Sequence, residues 1–198
     1  MRIPPLPRHA PGLRIGLFGG SFNPPHYGHR LVTLTALRRL RLDRVWWIVT
    51  PGNPLKDTRG LPPQTERMRA ARRLMPEPMV DITGLEAEIG TRYTLDTLRY
   101  LKRRCPAVRF VWIMGADNLM QFHRWQGWRT IADLMPMAVV DRPGATLRAP
   151  ASRAAQAMAC RRWPELAAPA LAGSRRRWVL LHGPRSPLSS TGLRAAGE

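Results

Sequence analysis

The sequence predicts an α/β fold built on a mostly parallel, doubly wound sheet, and three observations predict it. Short apolar runs such as Val45-Trp-Trp-Ile-Val-Thr50 and Arg109-Phe-Val-Trp-Ile-Met114 read as buried strands. Segments with leucines at helical spacing alternate with them, as a crossover architecture requires. The first and fourth runs end in glycine, at Gly19-Gly20 and Gly115, where a strand turns tightly into a loop.

Taken in order, residues 1–12 are proline-rich and read as a flexible arm ahead of one domain spanning 13–198. Arg14 to Phe18 is the first strand. Leu31, Leu34, Leu37 and Leu40 recur with helical spacing within a helix from about Gly28 to Arg41. The second strand, Val45 to Thr50, gives way to a Gly/Pro loop running from Pro51 to Pro63. Gln64 to Met75 is a charged helix, Met79 to Ile82 the third strand, and Thr94 to Arg104 a helix with Leu95, Leu98 and Leu101 on one face. Arg109 to Met114 is the fourth strand, Trp128 to Leu134 a short helix, and Met137 to Asp141 the fifth strand. The Ala/Arg-rich stretch from Ala149 to Pro169 is read as partly helical, Trp178 to Leu181 as a last strand, and Ser189-Ser-Thr191 as the N-cap of a final short helix. In such a sheet ligands sit beyond the carboxyl ends of the strands, where the strand order reverses.

Length and composition narrow the function. The 198 residues suit a single core, and 44% of them are apolar, as in an ordinary globular protein. No apolar run is long enough to span a bilayer, and Met1-Arg-Ile-Pro-Pro-Leu-Pro-Arg lacks the apolar stretch of a secretory signal, so a cytoplasmic protein without a membrane partner is expected. Cys105 and Cys160 are far apart, which fits free thiols better than a disulfide framework. The net charge of +19 invites a nucleic-acid partner. That charge is nearly all arginine, Lys56 and Lys102 being the only lysines, and it is scattered along the chain. Solvated surface arginine is the better reading, and no nucleic-acid partner is expected. A positive field would still draw in a polyanionic substrate.

The strongest chemical signal is Gly19-Gly-Ser-Phe-Asn-Pro-Pro-His-Tyr-Gly-His29, directly after the first strand. The glycines permit close backbone approach to a ligand. His26 and His29, three positions apart at a helix start, project from one face beside free N–H groups and the positive dipole end. Two imidazoles there can donate to phosphate oxygens. A zinc site is the competing reading, but no third ligand stands at metal spacing, and no protein-bound metal is expected. The second signal is Ser189-Ser-Thr-Gly-Leu-Arg194, where hydroxyls, helix-start amides and a guanidinium could all meet phosphate. Alone it is also the cap of an ordinary helix.

Together these segments resemble the nucleotidylyltransferase superfamily with a His-x-Gly-His signature, and more closely its bacterial nicotinate mononucleotide adenylyltransferases. The resemblance runs from about Leu13 to Arg194. It takes in Pro51-Gly-Asn-Pro-Leu-Lys56, Arg92-Tyr-Thr-Leu-Asp-Thr-Leu98, Gly115 to Trp125, and Val140-Asp-Arg-Pro-Gly144. It implies a Rossmann-like nucleotidylyltransferase fold and adenylyl transfer from ATP to nicotinate mononucleotide in NAD biosynthesis. His26, His29 and Arg194 would be catalytic. Gly19, Gly20, Ser21, Phe22, Asp117, Ser190 and Thr191 would bind ATP. Trp125 would stack on the pyridine ring, backbone amides near Thr94 and Gln126 would face its carboxylate, and Lys56 would hold the substrate phosphate. Mg²⁺ would arrive with ATP.

Read from spacing alone, Trp125 is equally a core residue, Lys56 a solvated loop residue and Asp117 a helix cap. Pantetheine-phosphate adenylyltransferase shares the histidine motif, but Phe122-His-Arg-Trp125 and the separate Ser-Ser-Thr motif favour the pyridine nucleotide. Nicotinate against nicotinamide, and the oligomeric state, stay open.

Overall fold

Strand β1 (Arg14–Gly20) is an interior strand of a seven-stranded sheet in the computed structural model, which describes residues 4–52 and 60–195. Its neighbours are β2 (Arg44–Val49) and β4 (Arg109–Gly115). Beyond them lie β3 (Val80–Thr83) on one side, and β5 (Met137–Val140), β7 (Trp178–Leu181) and the two-residue β6 (Arg162–Trp163) on the other. The order is β3-β2-β1-β4-β5-β7-β6, and each of these pairings is parallel. The strand order reverses between β1 and β4, which sets the ligand crevice above those two strands.

The strands are apolar throughout because both faces are covered. Along β4, Phe110, Trp112 and Met114 enter one core, and Val111 and Ile113 the other. The first core packs beneath α4 (Thr94–Arg104), α5 (Ala116–Gln121), α6 (Trp128–Leu134) and α7 (Arg153–Ala157). The second packs beneath α1 (Tyr27–Arg39), α2 (Gln64–Leu74) and a 3-10 run at Glu165–Gly173.

In α1 the leucine spacing predicts the helix but only part of its buried face, Leu37 and the capping Leu40. Val32, Thr33, Ala36 and Leu37 are buried, whereas Leu31 and Leu34 are only partly covered. Small residues let the helix lie close to the sheet, and Thr33 is accommodated there by hydrogen bonding. Its Oγ1 accepts from Trp47 Nε1 at 2.8 Å and donates to the His29 carbonyl at 3.0 Å.

Several short elements lie outside the sequence expectation. A single turn, α3 (Leu85–Glu88), buries Leu85 and Glu86, and β6 adds an edge strand inside the Ala/Arg-rich stretch. Both are too short to display any periodicity. Within residues 4–12, Leu6 packs on the first core, His9 meets Trp46 edge-on at 6.0 Å, and Gly12 N–H donates to the Ala107 carbonyl at 2.8 Å. Among the described residues no helix is long and apolar enough to cross a membrane.

Candidate active site

A cavity of about 240 Å³ opens above the carboxyl ends of β1 and β4. Gly19, Gly20, Ser21 and Phe22 form its floor, where β1 ends. His26 and His29 enter from α1, Asp117 from the first turn of α5, and Ser189, Ser190 and Thr191 from the start of α8 (Ser190–Ala195). The opposite wall carries Thr94, Trp125 and Gln126. The two motifs at either end of the chain therefore face one space.

The histidines are set by the helix start they create. His26 is the N-cap of α1; its Nδ1 accepts from Gly28 N–H at 3.1 Å, and His29 Nδ1 accepts from His26 N–H at 3.1 Å. The ring centroids lie 3.8 Å apart. With Nδ1 engaged as an acceptor, a neutral ring must carry its proton on Nε2, so each imidazole offers one N–H donor. Neutrality follows from the surroundings. Burial, then the nearby Arg142 charge, lowers the His26 pKa to about 4. Burial, then His26 and Arg142, hold His29 well below the ordinary imidazole value.

Phe22 stands behind this pair. Its φ of +47° lies in the left-handed region, a strain of about 1–3 kcal/mol for a bulky residue. In that conformation its ring, 1% exposed, stacks on Trp47 at 4.6 Å and meets His29 at 4.9 Å. Gly19 has a reason beyond ligand approach: a Cβ there would lie 2.6 Å from Trp112 Cη2. Trp112 in turn meets Trp125 edge-on at 6.1 Å, and Phe122 meets it at 5.4 Å. Trp125 is thus both braced by the core and open to the cavity, which combines the two readings its spacing allows.

Of the remaining expected residues, one lies outside the described residues, one outside the cavity wall, and one on that wall. Lys56 lies outside the described residues. Arg194 is exposed and is not part of the cavity wall; its guanidinium donates to the Asn23 carbonyl. Asp117 does not cap α5, whose N-cap is Gly115; its carboxylate is 57% exposed and faces Arg142 Nε at 3.8 Å. Ser190 Oγ donates to the Pro24 carbonyl at 3.0 Å, so the C-terminal motif also braces the loop that leads to the histidines.

Arg142 and Glu86 line the cavity and lie outside the set of site residues the sequence suggests. Arg142 directly follows the Asp141 turn after β5, a strand-end position at the site's own edge, and that placement is the available signal. Glu86 is 6% exposed; burial pushes its pKa up, against hydrogen bonds from Thr50 and Thr97, the latter at 3.0 Å. A carboxyl that protonates more readily repels an anionic ligand less.

The depressed imidazoles make the free protein acid-sensitive. Between about pH 6.5 and 4 the unfolded chain takes up protons on these rings and the folded one does not, so stability falls as pH drops through that window. The slope is up to about 1.4 kcal/mol per pH unit for each ring. Urea unfolding at pH 7 and pH 5 should show this loss in the wild type and a smaller one in H26N/H29N. Identical pH slopes would contradict it.

The cytidylyltransferase-like family model matches residues 17–196. The chain is 62% identical over 183 residues to a Methylorubrum extorquens protein named a probable nicotinate-nucleotide adenylyltransferase, covering 92% of this chain and 99% of that one. A Brucella abortus protein of the same name is 55% identical over 185 residues, covering 92% and 94%. Among solved structures, the Plasmodium falciparum nicotinic acid mononucleotide adenylyltransferase complexed with NaAD superposes with a TM-score of 0.67. That match covers 92% of this chain and 83% of the other at 16% identity, a likeness of fold.

Proposed function

Because the chain belongs to the cytidylyltransferase-like family, among its nicotinate-nucleotide adenylyltransferases, we propose that this cavity joins the AMP moiety of ATP to nicotinate mononucleotide. The products are nicotinate adenine dinucleotide and pyrophosphate, a step of NAD biosynthesis. The observation that carries the reading is the meeting of neutral imidazole donors and Ser-Ser-Thr hydroxyls on one side of a cavity with Trp125 and the α4 start on the other.

The nucleophile is the mononucleotide's own phosphate. Its second pKa is near ~6, so at neutral pH it is mostly a dianion and needs no general base. One of its oxygens forms a bond to ATP's α-phosphorus as the bond to the bridging oxygen of pyrophosphate breaks, and the electron pair leaves with pyrophosphate. The barrier is anion repulsion and orientation, of which positioning can supply on the order of 7–11 kcal/mol. His26 and His29 donate from Nε2 to the charge that builds on the phosphates. Gly19 to Phe22, Asp117, Ser190 and Thr191 hold ATP, while Arg194, bonded to the Asn23 carbonyl, braces the loop that leads to the histidines. Trp125 stacks on the pyridine. Thr94 and Gln126 amides face its carboxylate, with Arg92 adding charge on the same wall; Lys56 is assigned to the acceptor phosphate.

Mg²⁺ carried by the triphosphate would neutralise phosphate charge. Asp117, half-exposed on the cavity wall, is an oxygen donor suited to a hydrated ion of this kind. The reaction is placed in the cytoplasm, which the two free cysteines Cys105 and Cys160 favour.

The test supplies ATP, Mg²⁺ and in turn nicotinate mononucleotide, nicotinamide mononucleotide and phosphopantetheine, with pyrophosphate measured and the product identified by mass. Dinucleotide from the nicotinate substrate is expected; faster use of phosphopantetheine would overturn the assignment. In the same assay Trp125→Ala should raise the KM for the mononucleotide roughly 10-fold, the worth of one base-stacking contact. The KM for ATP should move much less. Equal weakening of both substrates would point to a damaged fold instead.

A further inference from the structure

Among the described residues, Arg142 is placed as no other cation of the site is. It lies past the end of β5, its side chain is only 15% exposed, and it lines the cavity between the two phosphate motifs. A Cβ on Gly28 would lie 2.8 Å from its Nη1, so that nitrogen rests against the first turn of α1, beside His26. Its Nε faces Asp117 Oδ1 at 3.8 Å, and its Nη2 donates to the Leu188 carbonyl at 2.9 Å, one residue before Ser189. One guanidinium therefore touches the histidine helix, the α5 carboxylate and the strand-to-helix segment that delivers the C-terminal hydroxyls.

We propose that Arg142 is a further catalytic residue, the guanidinium that contacts ATP's phosphate chain beside the two imidazoles and, through Leu188, keeps Ser189 to Thr191 aligned with them. The inference rests on the reading that this cavity binds ATP. A planar fork can bridge two phosphate oxygens, which a single ammonium cannot. The long approach to Asp117 is not a bidentate ion pair, so the guanidinium retains donors for a more highly charged partner. Its charge already acts at the site, because it helps to depress both histidines. Arg194, tied to Asn23 outside the cavity wall, does not occupy this position.

The experiment measures equilibrium binding of an ATP analogue with a methylene between the α- and β-phosphates. Wild type, Arg142→Met and Arg142→Lys are compared, with nicotinate mononucleotide bound separately and melting temperatures recorded. Loss of a charge-assisted contact should raise the Kd for the analogue roughly 10- to 100-fold in Arg142→Met, with partial recovery in Arg142→Lys. Mononucleotide affinity should stay within roughly 3-fold. In the unliganded Arg142→Met protein the His26 ring should titrate at higher pH by NMR, a change that a purely structural role does not require. Unchanged analogue affinity in either folded variant overturns the proposal. So does a parallel loss of both ligands with a lowered melting temperature, which would make Arg142 scaffold alone. If Arg142→Met does not fold, Arg142→Lys decides by the same criteria. A wild type that binds the analogue yet makes no dinucleotide from nicotinate mononucleotide would sink the acceptor assignment and leave this comparison decisive.

Discussion

Replacing His29 with alanine should lower kcat for dinucleotide formation by roughly 10²-fold or more, the cost of losing one preorganised donor to transition-state charge. The ring is suited to that task by what surrounds it. Phe22 backs the ring, His26 N–H occupies its Nδ1, and Thr33 fixes its backbone carbonyl. What remains is a neutral ring with its N–H on Nε2. A donor of this kind strengthens as negative charge grows on its partner, so kcat should fall further than the affinity for ATP. Initial rates across both substrates, with a melting curve to show the variant is folded, decide the matter. Turnover close to wild type would remove His29 from the chemistry.

Gly28→Ala should cost nearly as much, for a reason that runs against helix propensity. Gly28 sits inside α1, where alanine would ordinarily stabilise by up to about 1 kcal/mol. The added methyl would lie 2.8 Å from Arg142 Nη1 and 2.9 Å from the His26 ring, closer than real side chains pack. One of the two must move, and both line the cavity where the phosphates are proposed to bind. The expected result is a melting temperature equal to or above wild type together with a kcat reduced by roughly 10- to 10²-fold. A variant of full activity would show that the glycine is not keeping room for these groups. The glycine of His-x-Gly-His keeps room for a guanidinium supplied by a turn more than a hundred residues away.

What is legible in the sequence follows local pattern. β2 and β4 are continuous apolar runs, and runs of that kind can be recognised without knowing their partners. β6 has two residues, and pairing with β7 alone makes it a strand. The histidine motif is contiguous and sits on a strand-to-helix junction, so its phosphate role can be argued from spacing. That of Arg142 cannot, since in a chain with 32 lysines and arginines one more guanidinium carries no weight until the fold places it. Trp125 is ambiguous in sequence because it is packed and cavity-lining at once, with Phe122 and Trp112 behind it and the cavity in front. Arg194 shows the opposite limit. Its type and position suggest a phosphate contact, while its side chain reaches the Asn23 carbonyl.

The hydrogen bond from Ser190 to Pro24 closes a loop 166 positions long. Closing such a loop costs on the order of 4–5 kcal/mol of chain entropy, which the pairings of β4, β5 and β7 must overcome before the nucleotide pocket exists. Nucleotide affinity is therefore a property of the complete native state and of no smaller folding unit. Titrating urea against tryptophan fluorescence and against ATP-analogue binding should yield one shared midpoint, and saturating ligand should delay global unfolding rather than local fraying.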